Sequence, residues 1–279
     1  MKSIIKIISR QNNIFKWFFD IIFVDNLYIS MFLRESEPAH HNKASTPYSK
    51  EVHGVTISPF LFKKTTYKNI NVCAFAMFRY KDIVIKNVIA ELKNYARSDI
   101  TDFIGKKLAK TVLQNLNKNS EHFLPLGLNN SPIVVTYIPL SPSRLIERGF
   151  NQNKMIAEGF FNHFKVLKPV YLKSNVYFFD LLEKNRNTSN QSSLRQKDRL
   201  NNLKDCFSVS INAKNELIEM VSDGPQKQID IIIIDDVTTT GHTFETATRS
   251  TIDYFASDKI KENQGEIQIN NVVCLAVAH

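Results

Sequence analysis

Residues 229–243 read Ile-Asp-Ile-Ile-Ile-Ile-Asp-Asp-Val-Thr-Thr-Thr-Gly-His-Thr, and this stretch decides the fold. A continuous β-branched run is the pattern of a strand buried on both faces, as in a parallel sheet covered by helices. Asp235 and Asp236 stand where that strand emerges. A hydroxyl-rich turn follows, and residues 244–255 then predict a helix. In parallel α/β sheets the carboxyl edge of a strand is where ligands bind. The turn aims backbone N–H groups and the positive end of the next helix at an anion. Thr239, Thr240 and Thr243 add hydroxyl donors, His242 sits among them, and Gly241 lets the backbone approach a phosphate closely. The adjacent carboxylates repel a phosphate and suit hydroxyls, a developing cation or a metal-bound group. Together the two halves suit a sugar phosphate.

Outward from this stretch, strands alternate with helices. Residues 71–78 and 133–138 predict strands, the second stopped by Pro139, and residues 170–171 begin another. Helical spacing marks 82–95, 100–116 and 153–164, and a closing strand is expected over 271–278. Such alternation implies an α/β fold with a parallel, doubly wound sheet over 70–279. Residues 1–69 form an N-terminal helical appendage: Ile14, Phe15, Phe18, Ile21 and Ile22 recur at helical spacing, and 34–50 is a polar linker with two prolines. Adjacent His40 and His41 in that linker lack partners at metal-ligand spacing. The stretch 208–228 receives no assignment.

The 279 residues suffice for one good-sized core with an appendage, and 43% hydrophobic with 23% charged residues is a globular composition. A net charge of +9 favours anionic partners, although Lys- and Asn-rich composition accounts for much of it. Cys73, Cys206 and Cys274 are isolated, so the expectation is a reducing cytoplasm and small buried hydrophobes. Charges interrupt the apolar N-terminus, and no run approaches the roughly 20 residues of a membrane span. No stable membrane insertion is expected.

Two further constellations stand out. Residues 139–152 read Pro-Leu-Ser-Pro-Ser-Arg-Leu-Ile-Glu-Arg-Gly-Phe-Asn-Gln. A strand ending in this turn, with Ser141, Arg144, Arg148 and Gly149, makes a second anion site at the carboxyl edge. Arg144 and Arg148 are four apart, so on a helical turn both guanidinia face one diphosphate. Residues 184–207 form a long polar, basic stretch containing Arg186, Thr188, Gln191 and Arg199. Connections of that length in a compact domain are functional or unstructured.

Taken in order, four blocks resemble the ComF family, competence-associated proteins related to amidophosphoribosyltransferases. They are Pro-Leu-x-x-x-Arg-x-x-x-Arg-Gly-Phe-Asn-Gln over 139–152, Arg-x-Thr-x-x-Gln-x-x-Leu over 186–194, Arg-x-x-Asn-x-x-x-x-Phe over 199–207, and Asp-Asp-Val-x-Thr-Thr-Gly-x-Thr over 235–243. Tyr80, Ile89, Leu92, Lys93 and the stretch 275–279 extend the resemblance to about 70–279. It implies a type I phosphoribosyltransferase-like sheet flanked by helices. It also implies binding of phosphoribosyl pyrophosphate (PRPP) with Mg²⁺, and transfer of the phosphoribosyl group to an unidentified acceptor, linked to DNA uptake. By that resemblance Asp235, Asp236 and Arg148 are catalytic, with the two acids on the ribose hydroxyls. Thr239, Thr240, Gly241, His242 and Thr243 cradle the 5′-phosphate. Ser141, Arg144, Gly149, Arg186, Thr188, Gln191 and Arg199 serve pyrophosphate and a closing loop. The family's N-terminal zinc ribbon has no counterpart in these cysteines, so no zinc is expected.

The acceptor is not spelled out in residues 1–70. The opening Met1-Lys2-Ser3 speaks against a glutamine-fed amidotransferase. The alternative function is a non-catalytic protein that senses PRPP or handles single-stranded DNA. A DNA groove needs aromatics interleaved with basic residues, and the best stretch is 60–68, Phe-Leu-Phe-Lys-Lys-Thr-Thr-Tyr-Lys. Its plainer reading is a strand edge with solubilising lysines.

Overall fold

The computed structural model describes residues 50–52, 55–57, 60–116, 124, 126–127, 130–185, 206–222, 228–257 and 267–279. The predicted N-terminal helix, the histidine pair and most of the linker lie outside them. Strands are β1 (Lys50–Val52), β2 (Val55–Ile57), β3 (Phe60–Tyr67), β4 (Ile70–Phe78), β5 (Ile133–Tyr137), β6 (Val176–Phe178), β7 (Leu182–Lys184), β8 (Phe207–Val209), β9 (Gln228–Val237) and β10 (Gln268–Ala278). Helices are α1 (Ile83–Asn94), α2 (Ser98–Asn115), α3 (Pro142–Arg148), α4 (Gln152–Leu167), α5 (Ile211–Ser222) and α6 (His242–Phe255).

Six strands form one sheet in the order β3-β4-β10-β9-β5-β6. From β4 to β6 every pairing is parallel, and β3 runs antiparallel along the edge against β4. The fold is therefore α/β with a mixed, mostly parallel sheet. The β3–β4 hairpin straddles residue 70, so the sheet takes in chain that the sequence pattern assigned to the N-terminal region. Lys68 and Asn69, both at positive φ, make its turn. A second correction concerns 170–171, which lie in a turn; the strand begins at Val176. The apolar pair Val170 and Tyr171 is exposed, so hydrophobicity there reflects surface and not sheet.

Strand β9 explains its own sequence. Ile232 and Ile234 enter one core with α1, α2 and α4, while Ile229, Ile231 and Ile233 enter the other with α5 and α6. Alternate side chains point to opposite faces, and both faces are covered, so no polar alternation appears. Helices α2 and α4 cross closely at Gly105 and Gly159, where a side chain on Gly105 would run into the α4 backbone. Helix α1 starts at Asp82, whose carboxylate accepts the Val84 N–H at 2.9 Å. Asn151 caps α4 in the same way, accepting from Asn153 N–H at 3.0 Å. That cap sets the register of Gln152 and Asn153 against the end of β9.

Candidate functional site

The β5 and β9 strands end side by side, Tyr137 opposite Ile234. Two turns therefore leave the carboxyl edge together. One is the 238–241 turn into α6, where Gly241 takes φ 75°, a conformation that favours glycine. The other is the turn into α3, with Ser141 preceding Pro142 at the first helical turn and Gly149, also at φ 75°, closing the helix. Asp235 and Asp236 sit between them, each only 5% exposed.

A dense set of hydrogen bonds holds the two acids. Asn153 Nδ2 donates to Asp235 Oδ1 at 2.8 Å and to the Ile138 carbonyl at 2.9 Å, which ties the end of β5 to the end of β9. Asn153 Oδ1 accepts the Asp236 N–H at 3.0 Å, and Asp235 Oδ1 also accepts that N–H at 3.0 Å. On Asp236, Oδ1 accepts the Val237 N–H at 2.7 Å and Oδ2 accepts Gln152 Nε2 at 3.1 Å. The Lys93 ammonium, reaching over from α1, lies 3.4 Å from the same Oδ2. Arg148 Nη1 donates to Gln152 Oε1 at 3.0 Å. Burial, and then the neighbouring Asp236 charge, push the Asp235 carboxyl well above the usual carboxylate range.

Of the residues predicted from sequence, the structure brings Asp235, Asp236, Arg148, Ser141, Arg144, Gly149 and the turn residues 239–243 to one edge of the sheet. Thr239 and Thr240 are exposed on that turn, Thr243 is half-buried, and Gly241 is buried. Thr238 faces inward, its N–H bonded to the Ala278 carbonyl at 3.0 Å. The His242 ring is largely enclosed, and neither ring nitrogen has a hydrogen-bond partner among the described residues. Its Nδ1 is 3.8 Å from the Glu245 carboxylate, too far for a hydrogen bond. Arg186, Thr188, Gln191 and Arg199 lie outside the described residues.

Four residues that hold or border the site were not singled out as site residues: Lys93, Gln152, Asn153 and Lys184. Gln152 closes the 139–152 block, Asn153 follows it, and Lys93 lies on the predicted α1, so their positions were legible but not their contacts. Lys184 ends β7, where burial lowers its pKa, with the Arg144 charge acting in the same direction and Asp235 opposing. It lines a cavity of about 810 Å³ with Pro139 and Leu140, which follow the bond from Asn153 to Ile138. That volume is within the range of small-molecule sites.

The 60–68 stretch is the antiparallel edge strand and its turn, and three of its polar side chains, Lys63, Tyr67 and Lys68, are engaged with α6. Lys63 pairs with Glu245 at 2.9 Å and Lys68 with Asp253 at 2.6 Å. The Tyr67 hydroxyl donates to Asp253 at 2.9 Å, and the Arg249 guanidinium lies 4.7 Å above the Tyr67 ring. The three cysteines are buried thiols outside any disulfide. Among the described residues no helix is long and apolar enough to cross a membrane, and no three His, Cys, Asp or Glu side chains gather into a metal-binding group. No family profile, curated protein or solved structure matches the chain.

Proposed function

We propose that the chain binds PRPP with Mg²⁺ in a type I phosphoribosyltransferase-like site of the ComF kind, and transfers the phosphoribosyl group to an acceptor. The observation that carries this reading is the placement of Asp235 and Asp236 between the 238–241 turn and the arginine-bearing turn into α3, at the carboxyl edge. One turn offers backbone N–H groups, threonine hydroxyls and a helix N-terminus to a monophosphate. The other presents Arg144 and Arg148 to a diphosphate. The acids between them match a sugar that bears a phosphate at one end and a diphosphate at the other.

In this reading the bond from C1 of ribose to the pyrophosphate oxygen breaks, and the electron pair leaves with pyrophosphate. The acceptor's lone pair forms the new bond to C1, and its proton is released. Asp235 and Asp236 hold the ribose hydroxyls and lie beside a ring that becomes cationic in the transition state. Arg144 and Arg148 hold the leaving group. Two adjacent carboxylates, with no gathered set of three ligands among the described residues, suit a hydrated Mg²⁺ that arrives with the diphosphate. It would supply charge neutralisation to the leaving group.

Calorimetric titration of the full chain with PRPP, with and without Mg²⁺, tests this reading. Binding in the micromolar range that disappears in the Asp235→Asn/Asp236→Asn protein supports it. Absence of binding in the natural chain refutes it and leaves the acids a structural clasp between β5, β9 and α4. Turnover is then read from pyrophosphate release over a panel of acceptors. PRPP binding without release under any acceptor favours the non-catalytic sensor.

A further inference from the structure

The chain of contacts Arg148–Gln152–Asp236–Lys93, two hydrogen bonds and an ion pair, joins two surfaces that the proposed function uses separately. Gln152 is 2% exposed at the first residue of α4. Only one orientation of its amide satisfies both neighbours. With Nε2 toward Asp236 and Oε1 toward Arg148, every contact pairs a donor with an acceptor; a flipped amide would oppose like groups. Asp236 has both carboxylate oxygens engaged, Oδ1 by Val237 N–H and Oδ2 by Gln152 and Lys93. Whatever draws Arg148 from Gln152 therefore changes how Asp236 is held.

We propose that Gln152 is a positioning residue that couples the two halves of the site. A diphosphate that takes the Arg148 guanidinium releases Gln152 Oε1, the amide turns away from Asp236 Oδ2, and that oxygen is opened to the sugar hydroxyls. The inference rests on the PRPP reading. The first step follows from bond strength, because a guanidinium–phosphate contact is charged on both sides and outcompetes a neutral amide carbonyl. The second follows because a buried carbonyl stripped of its donor is costly to leave in place. Lys93 touches Asp236 and has no bond to Arg148, so it orients the acid without taking part in the coupling. The consequence is that diphosphate and sugar bind cooperatively, each tightening the other by the same factor. Two anionic ligands at one edge would otherwise weaken each other.

The test uses the full chain with Mg²⁺ and two fragments of PRPP, inorganic pyrophosphate and ribose 5-phosphate. Each is titrated calorimetrically alone and in the presence of the other at saturation. The natural protein is expected to show mutual tightening on the order of tenfold, equal in both directions. In Gln152→Met, which keeps volume and loses both hydrogen bonds, the factor falls to near one. In Lys93→Met the ribose 5-phosphate affinity shifts and the factor persists. A merely structural role for Gln152 would weaken both fragments and leave their ratio unchanged. Independent or mutually weakened binding in the natural protein overturns the inference, whether or not the variants fold. So does a factor that survives in folded Gln152→Met. If fragments bind independently and PRPP binds, the PRPP reading stands and the coupling alone falls. If neither fragment nor PRPP binds, both fall together.

Discussion

Strand β9 carries a buried aspartate near each end, and the two are held in similar ways. At the amino end, Asp230 accepts from Asn271 Nδ2 at 2.8 Å and from the Gly127 N–H at 2.6 Å. At the carboxyl end, Asp235 accepts from Asn153 Nδ2 at 2.8 Å and from the Asp236 N–H at 3.0 Å. Burial is the leading cause of a raised pKa in both. The difference lies in what surrounds them. Asp230 stands alone, and its partner Asn271 accepts from Asn71 on β4 at 3.4 Å, so the group laces three strands and a loop together. Asp235 has a second carboxylate beside it and lies between the 238–241 turn and the turn into α3 that carries Arg144 and Arg148. A buried, hydrogen-bonded carboxylate is thus not a site in itself; the second acid and the arginine-bearing turn are what set the carboxyl end apart.

The largest effect expected from this contrast is on ligand binding. Asp235→Asn with Asp236→Asn should weaken PRPP by on the order of a hundredfold or more, while Asp230→Asn should leave its affinity within about twofold by calorimetry. Stability should move the other way. Removing like charges from a closed site relieves repulsion, so the double variant is expected to melt higher than the natural protein. A double variant that melts lower would show that the pair serves the fold first.

Next in size is the structural acid. Asp230→Ala leaves the Gly127 N–H and the Asn271 amide without their acceptor, at a cost of about 1–3 kcal/mol. Urea denaturation should show the loss, with PRPP binding kept wherever the protein remains folded. A loss of PRPP affinity in the folded variant would erase the distinction between the two ends.

Part of this contrast is legible in the sequence, and the illegible part has physical causes. The run Ile231–Ile234 announces a doubly covered strand, and the acids with the Thr/Gly turn announce a carboxyl-edge site. What holds each acid was not legible, because the partners lie far along the chain: Gly127 and Asn271 for Asp230, Asn153 for Asp235. Lys93 reaches Asp236 across more than a hundred residues of sequence, so no spacing rule could pair them. Helix α5 was missed because polar residues surround its apolar positions Ala213, Leu217, Ile218 and Val221, which bury at helical spacing. Strand β6 lies in the region around Tyr177 where the β-branched and aromatic residues point to a strand; only its start was set too early, at the exposed apolar pair Val170–Tyr171.

A smaller effect concerns pH. The Asp230 carboxyl is raised from its ordinary 3.8 to about 6. Below pH 4 it is protonated in both folded and unfolded chains, and its contribution to stability is fully present. Between pH 4 and 6 the unfolded chain ionises while the folded chain resists, so the folded state binds more protons and stability falls as pH rises. The loss is at most about 3 kcal/mol, since each pKa unit corresponds to about 1.4 kcal/mol. Urea midpoints of the natural protein and Asp230→Asn, compared over that window, should converge or cross as pH rises. Parallel profiles would show that Asp230 ionises as freely in the folded chain as in the unfolded.

The smallest effect belongs to an acid of a third kind, Glu245 on the outer face of α6, bridged to Lys63 and Arg249. Here the Lys63 hydrogen bond outweighs desolvation and lowers the pKa, the reverse of the order at both ends of β9. Its contribution is present above its ordinary value and lost as pH falls through the lowered one. Partly exposed pairs contribute a few tenths to about 1 kcal/mol and weaken with salt. Glu245→Gln should therefore shift the denaturation midpoint slightly at low ionic strength and hardly at all in molar salt. The same pairing engages Lys63, one of the cations the 60–68 stretch would offer a nucleic acid. If Glu245→Gln, with Lys63 released, gains salt-dependent binding to single-stranded DNA, the edge strand is a masked basic surface. If it gains none, β3 is a strap that ties α6 to the sheet through Lys63, Tyr67 and Lys68.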